Sequence, residues 1–354
     1  MTLRALLGLS ASALILIACD PAQEGVLPEA SPPEAVEQQP EENGEAETGL
    51  QDELAMAEPV ALGTDLPAPA FAVDVPGGDL VRYLQCVTGG VGAVVVSAHR
   101  GGPLPGWPEN ALETFANTLA HGPMMLEMDI RQTADGVLMI MHDDTLDRTT
   151  TGEGVIREID WADIQALNLI DDEGEVTDFR APSLDEVLDW ARGRAILQLD
   201  VKRDVDVADV VEAVRRNNAE GFAKIITYNT EDAVTVSEQG EGIVFSLQIT
   251  EPDQLDALIE AGGDRERLIA WTGIGRERRE ALWSMLTEEG LLVSAGTMWR
   301  LDDDIRESGD PAPFLDFTEG LVDILATDLH IEAYDVLQTR QDAVAAFRGC
   351  ADPL

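Results

Sequence analysis

The amino-acid sequence predicts an α/β fold, a (β/α)8 TIM barrel, and three observations carry that prediction. Short apolar, β-rich runs alternate with amphipathic helical stretches from residue 93 to residue 347, the mark of a parallel sheet built from βα units. The region from residue 79 to residue 354 is close to the roughly 250 residues typical of such barrels. Histidine, arginine and carboxylate residues gather directly after several of the runs, where a barrel displays its working groups.

The runs are residues 93–98, 124–130, 137–141, 195–201, 223–228, 243–247, 267–271, 291–295 and 322–327. They are nine, one more than the fold needs. Between the second and third lies only Arg131-Gln-Thr-Ala-Asp-Gly136. A parallel crossover takes a dozen or more residues, so the third run must turn back antiparallel as a hairpin arm at the mouth. Eight barrel strands remain. The intervening helices are expected over residues 111–120, 206–217, 231–239, 252–261, 276–289 and 332–347. Another follows Ser183-Leu-Asp-Glu186, a capping box. The seventh crossover, within residues 302–320, is interrupted by Gly309, Pro311 and Pro313. Residues 144–182 are too long for a simple loop and read as a small insertion after the hairpin.

Residues 1–18 read as a signal peptide, Arg4 preceding the apolar run 5–18. The run ends Leu16-Ile-Ala-Cys19 and resembles a bacterial lipobox, with Cys19 as the lipidated residue. An exported protein, lipid-anchored to the bacterial cell membrane with its catalytic domain in the periplasm or outside the cell, is expected. Residues 19–78 are rich in Glu, Pro, Ala and Gln and hold no Lys or Arg. So little apolar surface cannot offset the entropy of ordering, and a disordered tether is expected. The formal net charge is −45, which argues against nucleic acid as a partner. It leaves room for a small phosphorylated substrate, because a local cation cluster overrides the global field. A monomer is expected. Cys86 precedes the first strand, and Cys350 follows a last helix that descends from the mouth, so both reach the amino-terminal face; a disulfide between them is predicted.

His99-Arg100-Gly101 follows the first strand. The pair could serve acid–base chemistry and an anion, or be structural. Pro108-Glu109-Asn110 opens the next helix, where a glutamate also suits the helix dipole. Glu127 and Asp129 lie two apart on a strand and project together, with Met128 facing the helices. Two such carboxylates repel unless a cation sits between them; salt bridges to Arg100 and Arg131 are the structural alternative. His142-Asp143 ends the hairpin arm. On residues 195–202, Gln198, Asp200 and Lys202 share a face. Asp200 and Lys202 are either an ion pair or a metal ligand beside a phosphate-binding lysine. His121, before Gly122, reads as a helix carboxyl-terminal residue, and His330 carries no argued role.

The ordered set His99-Arg-Gly, Pro108-Glu-Asn, Glu127-Met-Asp, Asp135-Gly136, His142-Asp143, Asp147-Arg-Thr-Thr150 with Gly152, Asp200-Val-Lys202 and Thr327-Asp328 resembles the glycerophosphodiester phosphodiesterase family. The resemblance spans residues 94–336 and implies a (β/α)8 barrel with a small insertion after the hairpin. It also implies hydrolysis of a phosphodiester bearing a glycerol-like hydroxyl, through a cyclic phosphate. It implies His99 and His142 as the acid–base pair and Arg100 and Lys202 as phosphate-binding residues. Glu127 and Asp129 are implied as metal ligands, with Glu109 a further ligand or a supporting group. The family's usual glutamate on the third strand is Asp200 here, one methylene shorter. An all-oxygen set selects one hard divalent cation, Mg²⁺ or Ca²⁺. Two other classes compete: a phospholipase C- or sphingomyelinase D-like enzyme on intact phospholipid, and a lipid-anchored binding protein without turnover. Limited proteolysis is expected to remove the tether and leave a core of unchanged specific activity; a protected tether would count against this organisation.

Overall fold

A computed structural model describes residue 73 and residues 75–90 and 92–351. The signal peptide, Cys19 and most of the expected tether lie outside the described residues. The strands are β1 (Val95–Ala98), β2 (Met125–Gln132), β3 (Leu138–Ile140), β4 (Ile196–Val201), β5 (Ala223–Ile226), β6 (Val244–Gln248), β7 (Leu268–Ile274), β8 (Leu292–Gly296) and β9 (Ile324–Thr327). The helices are α1 (Leu80–Gln85), α2 (Leu112–His121), α3 (Trp161–Ile164), α4 (Leu184–Ala191), α5 (Val207–Arg216), α6 (Thr230–Gln239), α7 (Pro252–Glu260), α8 (Glu280–Glu288), α9 (Leu301–Ser308), α10 (Pro313–Thr318), α11 (His330–Leu337) and α12 (Ala343–Ala351). Eight strands pair in parallel in the order β1-β2-β4-β5-β6-β7-β8-β9, and β9 returns to β1. The barrel is closed. As the short turn required, β3 runs antiparallel to β2, Ile130 opposite Ile140.

Alternation along the strands sorts the side chains. Leu126, Met128, Leu197 and Leu199 face outward into the main core beneath the helices. Val95, Met125, Ile196, Val244, Ile269, Leu292 and Ile324 share a second cluster with Leu80, Leu84 and Val87. Strand residues two apart share a face, so the next inward layer holds Ser97, Glu127, Gln198, Ser246 and Ser294, all buried. The barrel interior is therefore apolar at the amino-terminal end and polar toward the mouth. Helix α1, which hydrophobic periodicity did not mark, plugs the apolar end.

That plug moves the start of the folded unit. Val73 is buried in the same cluster and Val75 packs against it, so the unit reaches back past the boundary expected at residue 78. Three helices also differ from expectation. The seventh crossover is two helices, because Gly309 caps α9 in a left-handed conformation and Pro313 opens α10. Residues 332–347 are not one helix: α11 ends at Leu337, and Gln341 turns inward to bond Val94 N and O at 2.7 and 3.0 Å. Pairing with a strand edge outcompetes helical continuation there. Helix α8 starts at Glu280, because Arg276 and Arg278 are committed to loop contacts with Asp304 and with backbone carbonyls of residues 316–319. The segment between β3 and α4 carries α3 and its own small core, with Leu146, Ile156, Ile164 and Leu169 packed on Met139 and Met141. Among the described residues no helix is long and apolar enough to cross a membrane.

Cys86 and Cys350 form a disulfide, Cα atoms 5.9 Å apart, across 264 residues of sequence. It ties the segment after α1 to α12 and closes nearly the whole barrel. In the loop-entropy picture such a bridge is worth about 2–4 kcal/mol. A Cys86→Ser/Cys350→Ser variant is expected to unfold at lower denaturant by that order, with the native protein matching it once reduced; coincident curves would deny the bridge a stabilising role.

Candidate active site

The carboxyl ends of β1, β2 and β4 and the hairpin arm bring most of the expected residues together. Glu127, Asp129 and Asp200 each offer an oxygen, all within 4.8 Å of one another, and all three are buried. The register explains it: Asp129 lies directly opposite Asp200 across the β2–β4 ladder, and Glu127 is one inward step below. Burial and the neighbouring Asp129 carboxylate push the Glu127 pKa up to about 8. Asp129 goes the other way: despite its burial, Lys202, His142 and Asn110 hold it below the ordinary carboxylate range.

Each neighbour of this trio has an identifiable support. Lys202 Nζ lies 2.5 Å from Asp129 Oδ1 and 2.6 Å from Asp200 Oδ2, so the expected ion pair is present. Asn110, in the left-handed region at φ 61°, clamps Asp129: its amide donates to Oδ2 at 2.7 Å and its carbonyl accepts from the Asp129 N–H at 3.1 Å. Tyr228 donates its hydroxyl to Asp200 Oδ1 at 2.6 Å. The Arg100 N–H donates to Glu127 Oε2 at 2.7 Å. Below them Lys224 is 2 % exposed, and burial lowers its pKa to about 7 against the pull of Glu127 and Asp200.

Glu109, expected as a further ligand or a supporting group, stands apart from the trio. Its oxygens accept from Arg100 Nη1 at 2.8 Å and from Arg148 at 2.8 and 3.0 Å. These contacts keep it ionised: burial raises its pKa, and the two guanidinium groups more than reverse that. Arg148 also grips Asp143 at 2.6 Å. Arg131, an alternative partner for the acids, instead bonds the His142 carbonyl at 2.7 and 3.1 Å and Asp204 at 2.5 Å. It thereby fixes the hairpin end that presents His142.

Both histidines are backed by a carboxylate. His99 Nδ1 meets Asp328 Oδ1 at 2.7 Å, and His142 Nδ1 meets Asp143 Oδ1 at 2.8 Å. A carboxylate at Nδ1 fixes ring orientation and favours a proton there, leaving Nε2 for chemistry. For His99, burial disfavours the cation, but the Asp328 bond and the Glu127 and Asp328 charges outweigh it, so its pKa is raised. Asp328 is itself held from behind: buried Asp302 accepts from the Asp328 N–H at 2.8 Å and from Thr327 Oγ1 at 2.9 Å. The structural roles of Asn110, Asp143, Arg148, Tyr228, Lys224, Asp302 and Asp328 were not evident from sequence. Asn110, Asp143, Arg148 and Asp328 do fall inside the quoted motifs; the others carry no local signal.

His121 ends α2, as expected. His330 is 1 % exposed at the start of α11 and packs over Gly102. A Cβ at Gly102 would lie 2.6 Å from the His330 ring and from Thr118 Oγ1, at a backbone φ of +85°, so the turn after His99-Arg100 admits only glycine.

A trio of all-oxygen ligands is compatible with a hard divalent cation. The raised Glu127 pKa fits that reading, because burial and the Asp129 charge disfavour its anion and a cation would favour it. Carboxylate-backed imidazoles beside such a cluster, at the carboxyl end of a parallel barrel, can stabilise an anionic transition state while moving protons. The model of the glycerophosphoryl diester phosphodiesterase family matches residues 99–292, and the chain belongs to that family. Mouse glycerophosphodiester phosphodiesterase 1 is 30% identical over 190 residues, which are 52% of this chain and 54% of the mouse protein. The chain thus spans about half the length of that curated relative. The crystal structure of a glycerophosphoryl diester phosphodiesterase from Parabacteroides distasonis superposes with a TM-score of 0.68 at 28% identity, covering 77% of this chain and 95% of that one. An Oleispira antarctica phosphodiesterase in complex with the product sn-glycerol-3-phosphate shares the fold, with a TM-score of 0.53 at 18% identity over 71% of this chain and 99% of that one.

His330 supplies a stability test. Burial, with His121 nearby, lowers its pKa from 6.5 to about 4. A depressed folded-state pKa contributes stability that is present above 6.5 and lost as pH falls through about 4. Urea unfolding of the native protein is expected to lose stability over that window more steeply than a His330→Asn variant does; equal slopes would show that His330 does not titrate on unfolding.

Proposed function

We propose that this protein hydrolyses glycerophosphodiesters to an alcohol and glycerol 3-phosphate, using His99 and His142 as the acid–base pair. The observation that carries the proposal is the pairing of two carboxylate-backed imidazoles with the Glu127, Asp129 and Asp200 trio. His99 interacts electrostatically with Glu127, and His142 with Asp129, so the two rings attend different members of one cluster. A single Mg²⁺ or Ca²⁺ on the trio would supply Lewis-acid charge neutralisation at the phosphoryl oxygens. Arg100 and Lys202 supply positive charge from the protein itself, and Lys202 stays cationic because Asp129 and Asp200 more than offset its burial. His99 Nε2 accepts the proton of the substrate's own hydroxyl as that oxygen attacks phosphorus. His142 Nε2 protonates the departing alcohol, and the roles reverse when water opens the cyclic phosphate. Family membership and the P. distasonis likeness support the substrate class.

We further propose export and membrane anchoring through Cys19, on the strength of the Leu16-Ile-Ala-Cys19 sequence. The acidic segment after it would hold the barrel away from the lipid surface.

His99→Ala and His142→Ala are each expected to lower turnover of glycerophosphocholine by about 100-fold or more, with unchanged thermal midpoints. Near-normal turnover in either would remove that residue from the mechanism. Chelation is expected to abolish activity and Mg²⁺ or Ca²⁺ to restore it. Asp200→Glu should keep activity, whereas Asp200→Asn should weaken cation binding measured by calorimetry. Full activity after exhaustive chelation would exclude the metal role.

A further inference from the structure

On the side of the mouth away from the carboxylate trio, the ends of β6, β7 and β8 carry a second group of side chains that the reaction at phosphorus does not use. Trp299 is the most conspicuous of them. It is 54 % exposed and lies in the left-handed region at φ 54°. A bulky side chain in that region is strained, and an exposed one recovers little of that strain by packing. Its ring stands edge-to-face with His99, centroids 5.6 Å apart, so it borders the site itself.

The neighbouring strands complete a surface. Val244, Ile269 and Leu292 point into the barrel, and alternation therefore turns Gln248, Trp271 and Gly296 inward at the mouth. Gly296 has no side chain, and the Trp271 indole takes that space: a Cβ there would come within 2.6 Å of Trp271 Cη2. Trp271 remains partly exposed, as a floor. The Arg279 guanidinium lies over Gly273 beside the Gln248 amide; both are within 4.0 Å of where a Gly273 Cβ would be. Arg276 ties the two loops together, bonding the Arg300 carbonyl at 3.4 Å and Asp304 at 2.5 Å.

The charge is the decisive part. In a chain of net charge −45, arginines would be expected to satisfy local carboxylates, as Arg276 does. The side chains of Arg279 and Arg300 are exposed and make no hydrogen bond or ion pair among the described residues. The Arg279 guanidinium and the Gln248 amide, at the same end of the barrel as the Trp271 and Trp299 indoles, suit a ligand rich in hydroxyl oxygens, lying flat on an indole with its edge hydrogen-bonded. The same Arg279 guanidinium repels an ammonium head group, which the aromatic rings alone would have welcomed.

Building on the proposed hydrolysis, we infer that the ends of β6–β8 form a subsite for the alcohol half of the substrate, selecting a polyhydroxylated alcohol over a quaternary ammonium one. Trp299 is its platform beside His99, and Arg279 with Gln248 reads its hydroxyls.

The test compares kcat/KM of the full chain, with Mg²⁺ or Ca²⁺, on glycerophosphoinositol and glycerophosphocholine. The inositol diester is expected to be preferred by about tenfold or more. Trp299→Ala and Arg279→Met should each lower its kcat/KM by about tenfold and shrink the ratio between the two diesters, at unchanged thermal midpoints. Equal or better use of the choline diester overturns the subsite, as does an equal loss on both diesters in the two variants. Turnover of neither diester would instead defeat the proposed hydrolysis. Calorimetric binding of the inositol diester to the wild-type and Trp299→Ala proteins then decides the subsite alone: loss on substitution supports it, and unchanged binding overturns it.

Discussion

Three carboxylates held within 4.8 Å in the mouth of a barrel repel one another, and much of the surrounding structure answers that repulsion. Lys202 bridges two of them, Asn110 and Tyr228 donate to two, and the Arg100 backbone donates to the third. Lys224 lies buried beneath. Even so, Glu127 is left with a pKa near 8. A low-dielectric cavity does not tolerate three close negative charges without positive charge among them. The elevated Glu127 pKa is where that compensation falls short, and the trio is compatible with a further cation.

A second ring of interactions orients the proton-transfer groups. Asp302 holds the Asp328 backbone, Asp328 holds His99, and Arg306 reaches the other Asp328 oxygen at 3.4 Å. On the opposite side Arg131 holds the His142 carbonyl while Arg148 holds Asp143 and Glu109 together. The two histidines are thus mounted on separate supports, one from the β8–β9 side of the barrel and one from the hairpin arm. Glu109 belongs to the second support: its charge is spent on two arginines, which explains why it stands clear of the trio.

Much of the candidate site was legible because strand geometry is local. Glu127 and Asp129, two apart on a strand, had to share a face, and so did Gln198, Asp200 and Lys202. The short turn at Asp135-Gly136 forced β3 to run back toward the mouth with His142. What stayed hidden involves partners far apart in sequence. Asp328 lies 229 residues from His99, and Tyr228 lies 28 from Asp200. No periodicity reveals which loops a closed barrel will set side by side. Helix α1 escaped notice because six residues are too few for a clear amphipathic pattern, and the break between α11 and α12 arose from one glutamine bonding a distant strand edge.

The sequence by itself determined the alternation of strand and helix, the inward face of each strand and the turn that makes the hairpin. These follow from the two-residue and 3.6-residue periods and from the reach of a short connection. The ordered motifs also pointed to the family. Only the tertiary structure decided that Glu109 pairs with arginines, that His99 rests on Asp328, and that Trp299 stands edge-on to His99. Those outcomes depend on closure of β9 onto β1 and on where each loop comes to lie, and hydrogen bonds and charges between distant segments are made only once the barrel has closed.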